Sequence, residues 1–208
     1  MATRPYEQRV RAEEAARTRM RIIEAVFDRL REAPAEPVAI DRVARQAGVA
    51  RSTIYATFGT RAGLFDAVGR ELAARSGYER LVDAKHQPDA RDQLRAGLQA
   101  ACEMFTANRD IYRALRSMAQ LDEGAVGGVV ARMDAERAAA MKRLVARLAE
   151  QGVLREGLRP TDAEHILMML TSFESFDVLY TGQGLSPKRV IELLIETAER
   201  ALYAEPRA

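Results

Sequence analysis

The stretch Asp41 to Phe65, DRVARQAGVARSTIYATFGTRAGLF, constrains this chain more than any other. Ile40, Val43, Ala44 and Ala47 fall at i, i+3, i+4 and i+7, one apolar stripe on a short helix beginning near Asp41. Gly48 ends that helix, because a helix stop needs the positive φ that glycine reaches without steric cost. Val49 follows, placed to plug the gap between two crossing helices. A second helix is predicted from Arg51 to Thr57. A short helix, a turn of a few residues and a second helix are the parts of a helix-turn-helix, whose first helix crosses a nucleic-acid backbone while the second lies in the major groove.

The rest of the chain supports a soluble helical protein. Its 208 residues, 48% hydrophobic and 30% charged, suit one or two domains with a sizeable core. No run approaches the roughly eighteen apolar residues of a membrane span, and the N-terminal MATRPYEQRVR lacks the apolar stretch of a signal peptide, which points to the cytoplasm and away from membranes. Cys102 stands alone, which excludes an intrachain disulfide and a multi-cysteine zinc site and fits a reducing compartment. The net charge of +2 is small, but it is unevenly spread. Residues 1–75 carry 14 Arg against 10 Asp and Glu, and residues 76–208 carry 18 Lys and Arg against 20. That modest N-terminal excess is consistent with phosphate contact. Residues 1–16 have no apolar periodicity, and Arg4, Arg9 and Arg11 make them basic. They read equally as a DNA-contacting arm or as an untethered end.

Helical periodicity continues on both sides of the motif. From Arg17, Ile23, Val26, Phe27 and Leu30 repeat at helical spacing until the breaks at Pro34 and Pro37, and this face is expected to pack on Val43, Ile54, Phe58 and Phe65. Thr60 is placed to cap the next helix, predicted to run to about Arg75 with Leu64, Phe65, Val68 and Leu72 inward. Beyond Gly77 and the stretch His86–Asp89, apolar stripes recur along helices, and no strand alternation is found. Thr161 and Glu164 form a capping box for a helix over about 162–181, and Ser186-Pro187 opens a last helix to about Tyr203. In that last helix Val190, Leu194, Thr197 and Ala201 line one face, while Ile191, Ile195, Ala198 and Leu202 line the next. One of these faces meets the chain's own core, and the other needs a partner.

The order Val43-Ala44, Ala47-Gly48-Val49, Thr53-Ile54-Tyr55, Phe58, Arg61 and Leu64 resembles the TetR family of one-component transcriptional repressors. The resemblance implies an all-α fold with an N-terminal three-helix helix-turn-helix DNA-binding domain, residues 1–75, and a C-terminal helical ligand-binding and dimerisation domain, residues 76–208. It further implies a homodimer paired through its last two helices, a palindromic double-stranded DNA operator, and release by a small-molecule effector. Two family features are absent. The chain has Arg31-Glu32-Ala33-Pro34 where a glycine is usual after the first helix, and Ala39 where a capping threonine is usual, leaving Asp41 as the expected N-cap.

Within the second helix of the motif, Ile54 and Phe58 are expected to turn inward, leaving Arg51, Ser52, Thr53 and Thr57 outward. Arg51 has the chemistry to bond guanine O6 and N7 together, worth about 1–3 kcal/mol of discrimination. Thr53 and Tyr55 carry hydroxyls suited to phosphate, Ala56 permits close approach, and Arg61 at the start of the following helix is expected to face a phosphate. For an effector, Met104, Phe105, Tyr112, Met118, Met141, Met168, Met169, Phe173 and Phe176 form the candidate apolar lining, because methionine and aromatic rings between bundle helices adapt to apolar ligands. No catalytic constellation, phosphate-cradling glycine loop or cofactor motif is present. His86 and His165 are far apart, and Asp162 with His165 at i, i+3 is too little to specify a metal. Two other readings remain open: a DNA-binding activator or chromosome-organising factor of the same fold without an effector, and a helical enzyme or interaction adaptor.

Overall fold

The computed structural model describes residues 4–34 and 36–204, and their regular structure is helical apart from one isolated antiparallel bridge between Leu154 and Tyr203. In chain order the helices are α1 (Arg4–Glu32), α2 (Ile40–Ala47), α3 (Arg51–Phe58), α4 (Arg61–Arg75), α5 (Tyr78–Ala84) and α6 (Ala90–Ala107). There follow α7 (Arg109–Leu121), a π-helical turn (Glu123–Gly127), α8 (Gly128–Glu150), α9 (Pro160–Leu170), α10 (Phe173–Asp177), a second π-helical turn (Val178–Gly182) and α11 (Pro187–Leu202). The chain packs into two compact units, residues 1–72 with 110–130 and residues 73–109 with 131–208. The packing units therefore differ from the contiguous stretches 1–75 and 76–208. Residues 110–130 join the N-terminal unit because Ile111, Leu115, Met118, Val126 and Val129 are buried there, and Gly69 lets α4 approach Val129 closely.

The first unit is built on α1. Ile22, Val26, Phe27 and Leu30 are fully buried, as are Val43 of α2 and Leu64, Phe65, Val68 and Leu72 of α4. Each such side chain contributes about 1.5–3 kcal/mol by leaving water. The helix does not begin at Arg17, however. It runs from Arg4, and every described side chain from Tyr6 to Arg17 is exposed. The absence of an apolar stripe there reflects a helix with no core to face; the Arg9–Glu13 pair at i, i+4, 3.7 Å, supports it locally. The first three residues and the side chain of Arg4 lie outside the described residues.

In the second unit Leu94, Leu98, Cys102 and Phe105 of α6, Leu144, Val145 and Leu148 of α8, Leu167 of α9, Phe176 of α10, and Val190, Leu194, Ala198 and Leu202 of α11 are buried. The helix expected over 162–181 is broken at Thr171–Ser172. Ser172 accepts from the Ser175 amide at 3.1 Å and so starts α10 afresh. Arg137 of α8 donates to the Met168 carbonyl and to Thr171 Oγ1, and pairs with Asp134 at 3.1 Å, so it satisfies the carbonyl end of α9. No capping box forms at Thr161. Helix α9 starts at Pro160 after an uncapped Arg159, which puts Thr161 inside the first turn. Ser186 does cap α11, accepting from Arg189 N at 3.3 Å.

Candidate nucleic-acid interface

The turn of the motif is set by one glycine. Gly48 holds φ 64°, ψ 40°, closing α2 in the left-handed region, and Val49 N donates to the Ala44 carbonyl at 3.0 Å. Helix α2 begins one residue earlier than expected, with Ala39 as an N-cap that offers no side-chain acceptor. Asp41 is therefore not a cap. It sits in the first turn, where its charge suits the helix dipole, and it receives Arg51 Nη1 at 3.2 and 3.3 Å.

Helix α3 touches the core through Ile54, its one buried residue. Arg51, Ser52 and Ala56 are exposed; Thr53, Tyr55, Thr57 and Phe58 are half-buried. Phe58 does not turn fully inward, because the Arg19 guanidinium of α1 lies 4.7 Å over its ring. The Thr57 hydroxyl donates to the Thr53 carbonyl at 2.7 Å, which leaves its oxygen as an acceptor only. Arg51 also stands 5.7 Å over the Tyr55 ring, and hydrogen bonding to Tyr55, with the Asp41 charge second, raises its pKa above the ordinary arginine value. The guanidinium is thus held out in solvent between two partners on the motif's own surface.

Arg61 is placed differently from the expectation. Thr60 caps α4, accepting from Gly63 N at 2.9 Å, but the Arg61 side chain turns inward, pairs with Asp122, and donates to the Val38 carbonyl at 3.1 Å. A cation in the first turn opposes the helix dipole; here a carboxylate from the turn after α7 relieves that opposition, in the role foreseen for a phosphate.

A groove of about 660 Å³ runs between α1 and α3, lined among others by Arg11, Ala15 and Arg19 on one side and Thr53, Ala56 and Thr57 on the other. Reading the sequence alone misses it, since it depends on α1 extending to Arg4. The spacing of Arg11, Ala15, Thr18 and Arg19 at i, i+4, i+7 and i+8 is the signal that marks one helical face there.

The candidate effector residues do not form one group. Phe105, Phe173 and Phe176 come together, with centroids 5.5, 5.6 and 6.4 Å apart, and Tyr180 stacks on Phe176 at 5.2 Å. Met104, Met141 and Met168 are half-buried in the same unit, whereas Met169 is 59% exposed. Tyr112 and Met118 are buried in the first unit. Cys102, beside Phe105 on α6, is buried, and burial pushes its thiol up to about 12. Asp162 is held by Arg159 through two contacts of 2.7 and 2.8 Å, which lowers its pKa.

A tri-helical head with a glycine-set turn and a solvent-facing second helix, in a chain otherwise made of packed helices, defines the class of helix-turn-helix DNA-binding regulators. Residues 22–68 match the family described as bacterial regulatory proteins, tetR family. The match is confined to this segment, and the fold of the whole chain is the one found in solved structures of TetR-family regulators. Among those is NalD, the secondary repressor of the MexAB-OprM multidrug efflux pump in Pseudomonas aeruginosa, with TM-score 0.71 and 22% identity over 92% of this chain and 98% of that one. The fatty acid degradation regulator FadR from Bacillus halodurans has TM-score 0.68 and 14% identity over 86% and 93%. The ketosteroid transcriptional regulator KstR2 of Mycobacterium tuberculosis has TM-score 0.65 and 15% identity over 90% and 95%. Comparison with curated proteins gives no match. Among the described residues, no helix is long and apolar enough to cross a membrane.

Proposed function

We propose that this chain is a ligand-responsive transcriptional repressor of the cytoplasm, which binds a palindromic operator as a homodimer and is released by a small, largely apolar effector. The observation that carries the reading is α3, anchored by Ile54 alone and presenting Arg51, Ser52, Thr53 and Ala56 outward beside a match to the tetR family. Arg51 reads a base; the Thr53 and Tyr55 hydroxyls position the backbone. Dimerisation is supported by exposed apolar side chains next to the last helix, Met169 at 59% and Val178 at 57%, together with half-exposed Ile191 and Ile195 on α11. Two copies on one axis present two heads to the two halves of a palindrome.

The aromatic cluster of Phe105, Phe173, Phe176 and Tyr180 is the proposed effector region, and the names of the fatty acid and ketosteroid regulators it resembles favour an apolar ligand. The rings touch one another, so a ligand has to part them. It then lowers operator affinity only by the difference in its affinity for the two states. The packed rings also favour a second reading, the same DNA-binding fold with no effector.

A mobility-shift assay with the DNA flanking the protein's own coding region, run over a salt series, tests the first claim. A sequence-dependent shift is expected, and no such shift at any salt overturns it. A thermal-shift screen of fatty acids and sterols separates the two readings. A stabilising hit that also releases DNA supports the effector, and none leaves the ligand-free regulator.

A further inference from the structure

We infer that the groove between α1 and α3 seats a sugar–phosphate strand of duplex DNA, so that the exposed first half of α1 is a phosphate-tracking rail beside the recognition helix. The inference rests on the DNA-binding reading above and adds to it a surface and residues outside the motif.

Three observations carry it. The lining is drawn from a narrow set of residues, two arginines, three threonines, three alanines and one glutamate, with no Leu, Ile, Val, Phe or Met. An apolar ligand or a docked helix needs large apolar side chains as anchors, and this groove has none, whereas arginine and threonine are side chains that meet phosphate oxygens. Second, the charge of the rail is positive: residues 8–21 carry Arg9, Arg11, Arg17, Arg19 and Arg21 against Glu13 and Glu14. Glu13 is taken up by Arg9, and Arg19 is fixed over Phe58, while Arg11 makes no ion pair among the described residues and stands at the exposed end of the groove. Third, the groove is continuous with α3. Its far wall is Thr53, Ala56 and Thr57, so a strand bordering the major groove that α3 enters passes between that wall and α1. Ala15, Ala16 and Ala56 keep the floor low enough for backbone to enter.

Glu14 lies on the same groove and opposes the occupant. A carboxylate there repels phosphate, and it limits how tightly the rail holds any sequence. This gives the proposal two variants of opposite sign, Arg11→Ala and Glu14→Gln, both at exposed helical positions that carry no core contact.

The experiment is fluorescence anisotropy of the full chain on two labelled duplexes, one carrying its own upstream region and one unrelated, at several KCl concentrations, with circular dichroism confirming unchanged helix content. R11A is expected to weaken binding by the same factor on both duplexes and to reduce the slope of log K against log[KCl] by about 1 per bound head. E14Q is expected to tighten binding on both. If the wild-type chain binds and neither variant changes the slope or the affinity, the rail is wrong and the DNA-binding reading stands. Loss by R11A on the upstream duplex alone makes Arg11 a base reader and overturns the proposal, as does a change in sedimentation of the DNA-free variant, which assigns the groove to a second copy. A wild-type chain that binds neither duplex overturns both.

Discussion

Arg61, the first residue of α4, is ion-paired to Asp122, a residue 61 positions away that also caps the π-helical turn after α7 by accepting from Ala125 N at 3.1 Å. One carboxylate therefore ties the first residue of α4 to the turn leading into α8, whose start it caps. Both side chains are more than two-thirds removed from solvent, so their contact is weakly screened. Asp122→Ala is expected to cost about 2 kcal/mol through the lost cap and the stranded guanidinium. Asp122→Asn keeps a cap acceptor and is expected to cost about half as much. Urea unfolding at constant m-value measures both, and an Asn variant as unstable as the Ala variant removes the capping share.

Gly48 makes a second prediction. Its φ of 64° is the left-handed conformation, and a Cβ there would meet nothing nearer than Arg21 Nη1 at 3.9 Å. The cost of Gly48→Ala is thus conformational, about 1–2 kcal/mol. The denaturation midpoint should fall accordingly, and an unchanged midpoint contradicts the turn.

Arg51 and Asp41 separate base reading from stability. Their pair is exposed and contributes little to folding. Arg51→Ala is expected to weaken operator binding with little change on unrelated DNA, and Asp41→Ala, which frees the guanidinium, to tighten binding. Equal loss on both duplexes for R51A takes Arg51 out of base reading.

Met169 and Val178 test self-association. Asp at either site should leave each chain folded, since both side chains face solvent, and should raise the dimer dissociation constant at least tenfold by placing charge in an apolar contact. Sedimentation at several concentrations reads this out. Unaltered association moves the dimer surface elsewhere.

Cys102 supplies a pH dependence. Burial raises its pKa from the ordinary 9.0 to about 12, so below pH 9 folded and unfolded chains both hold the proton. Between pH 9 and about 12 the unfolded chain releases it first, and stability falls as pH rises through that window. At pH 8 the native thiol should resist iodoacetamide, with one equivalent reacting after unfolding. Rapid native labelling contradicts the burial.

How far these features were legible in the sequence depends on the range of the interaction behind them. Gly48, Ile54 and the Ser186 cap follow from local chemistry and stand where the spacing puts them. The direction of Arg61 does not, because its partner comes from the far side of α5, α6 and α7 in the chain. The break at Thr171–Ser172 is similar: Thr and Ser are tolerated inside helices, and it is Arg137, from α8, that makes stopping there favourable. The first turns of α1 were obscured for the opposite reason. An unpacked helix has no apolar repeat to display. Among the effector residues, the aromatic side chains of α6 and α10 converge, while Tyr112 and Met118 fall in the other unit because residues 110–130 pack with α4.

Of the eight residues of α3, only Ile54 is buried, and the helix is bounded by glycines at 48 and 59 whose φ angles are 64° and 74°. Its outward positions can therefore mutate almost independently of the fold. A gene duplicate of this protein could drift to a new operator through Arg51, Ser52, Thr53 and Ala56 without first acquiring compensating changes in its interior, so that recognition evolves here at little risk to folding.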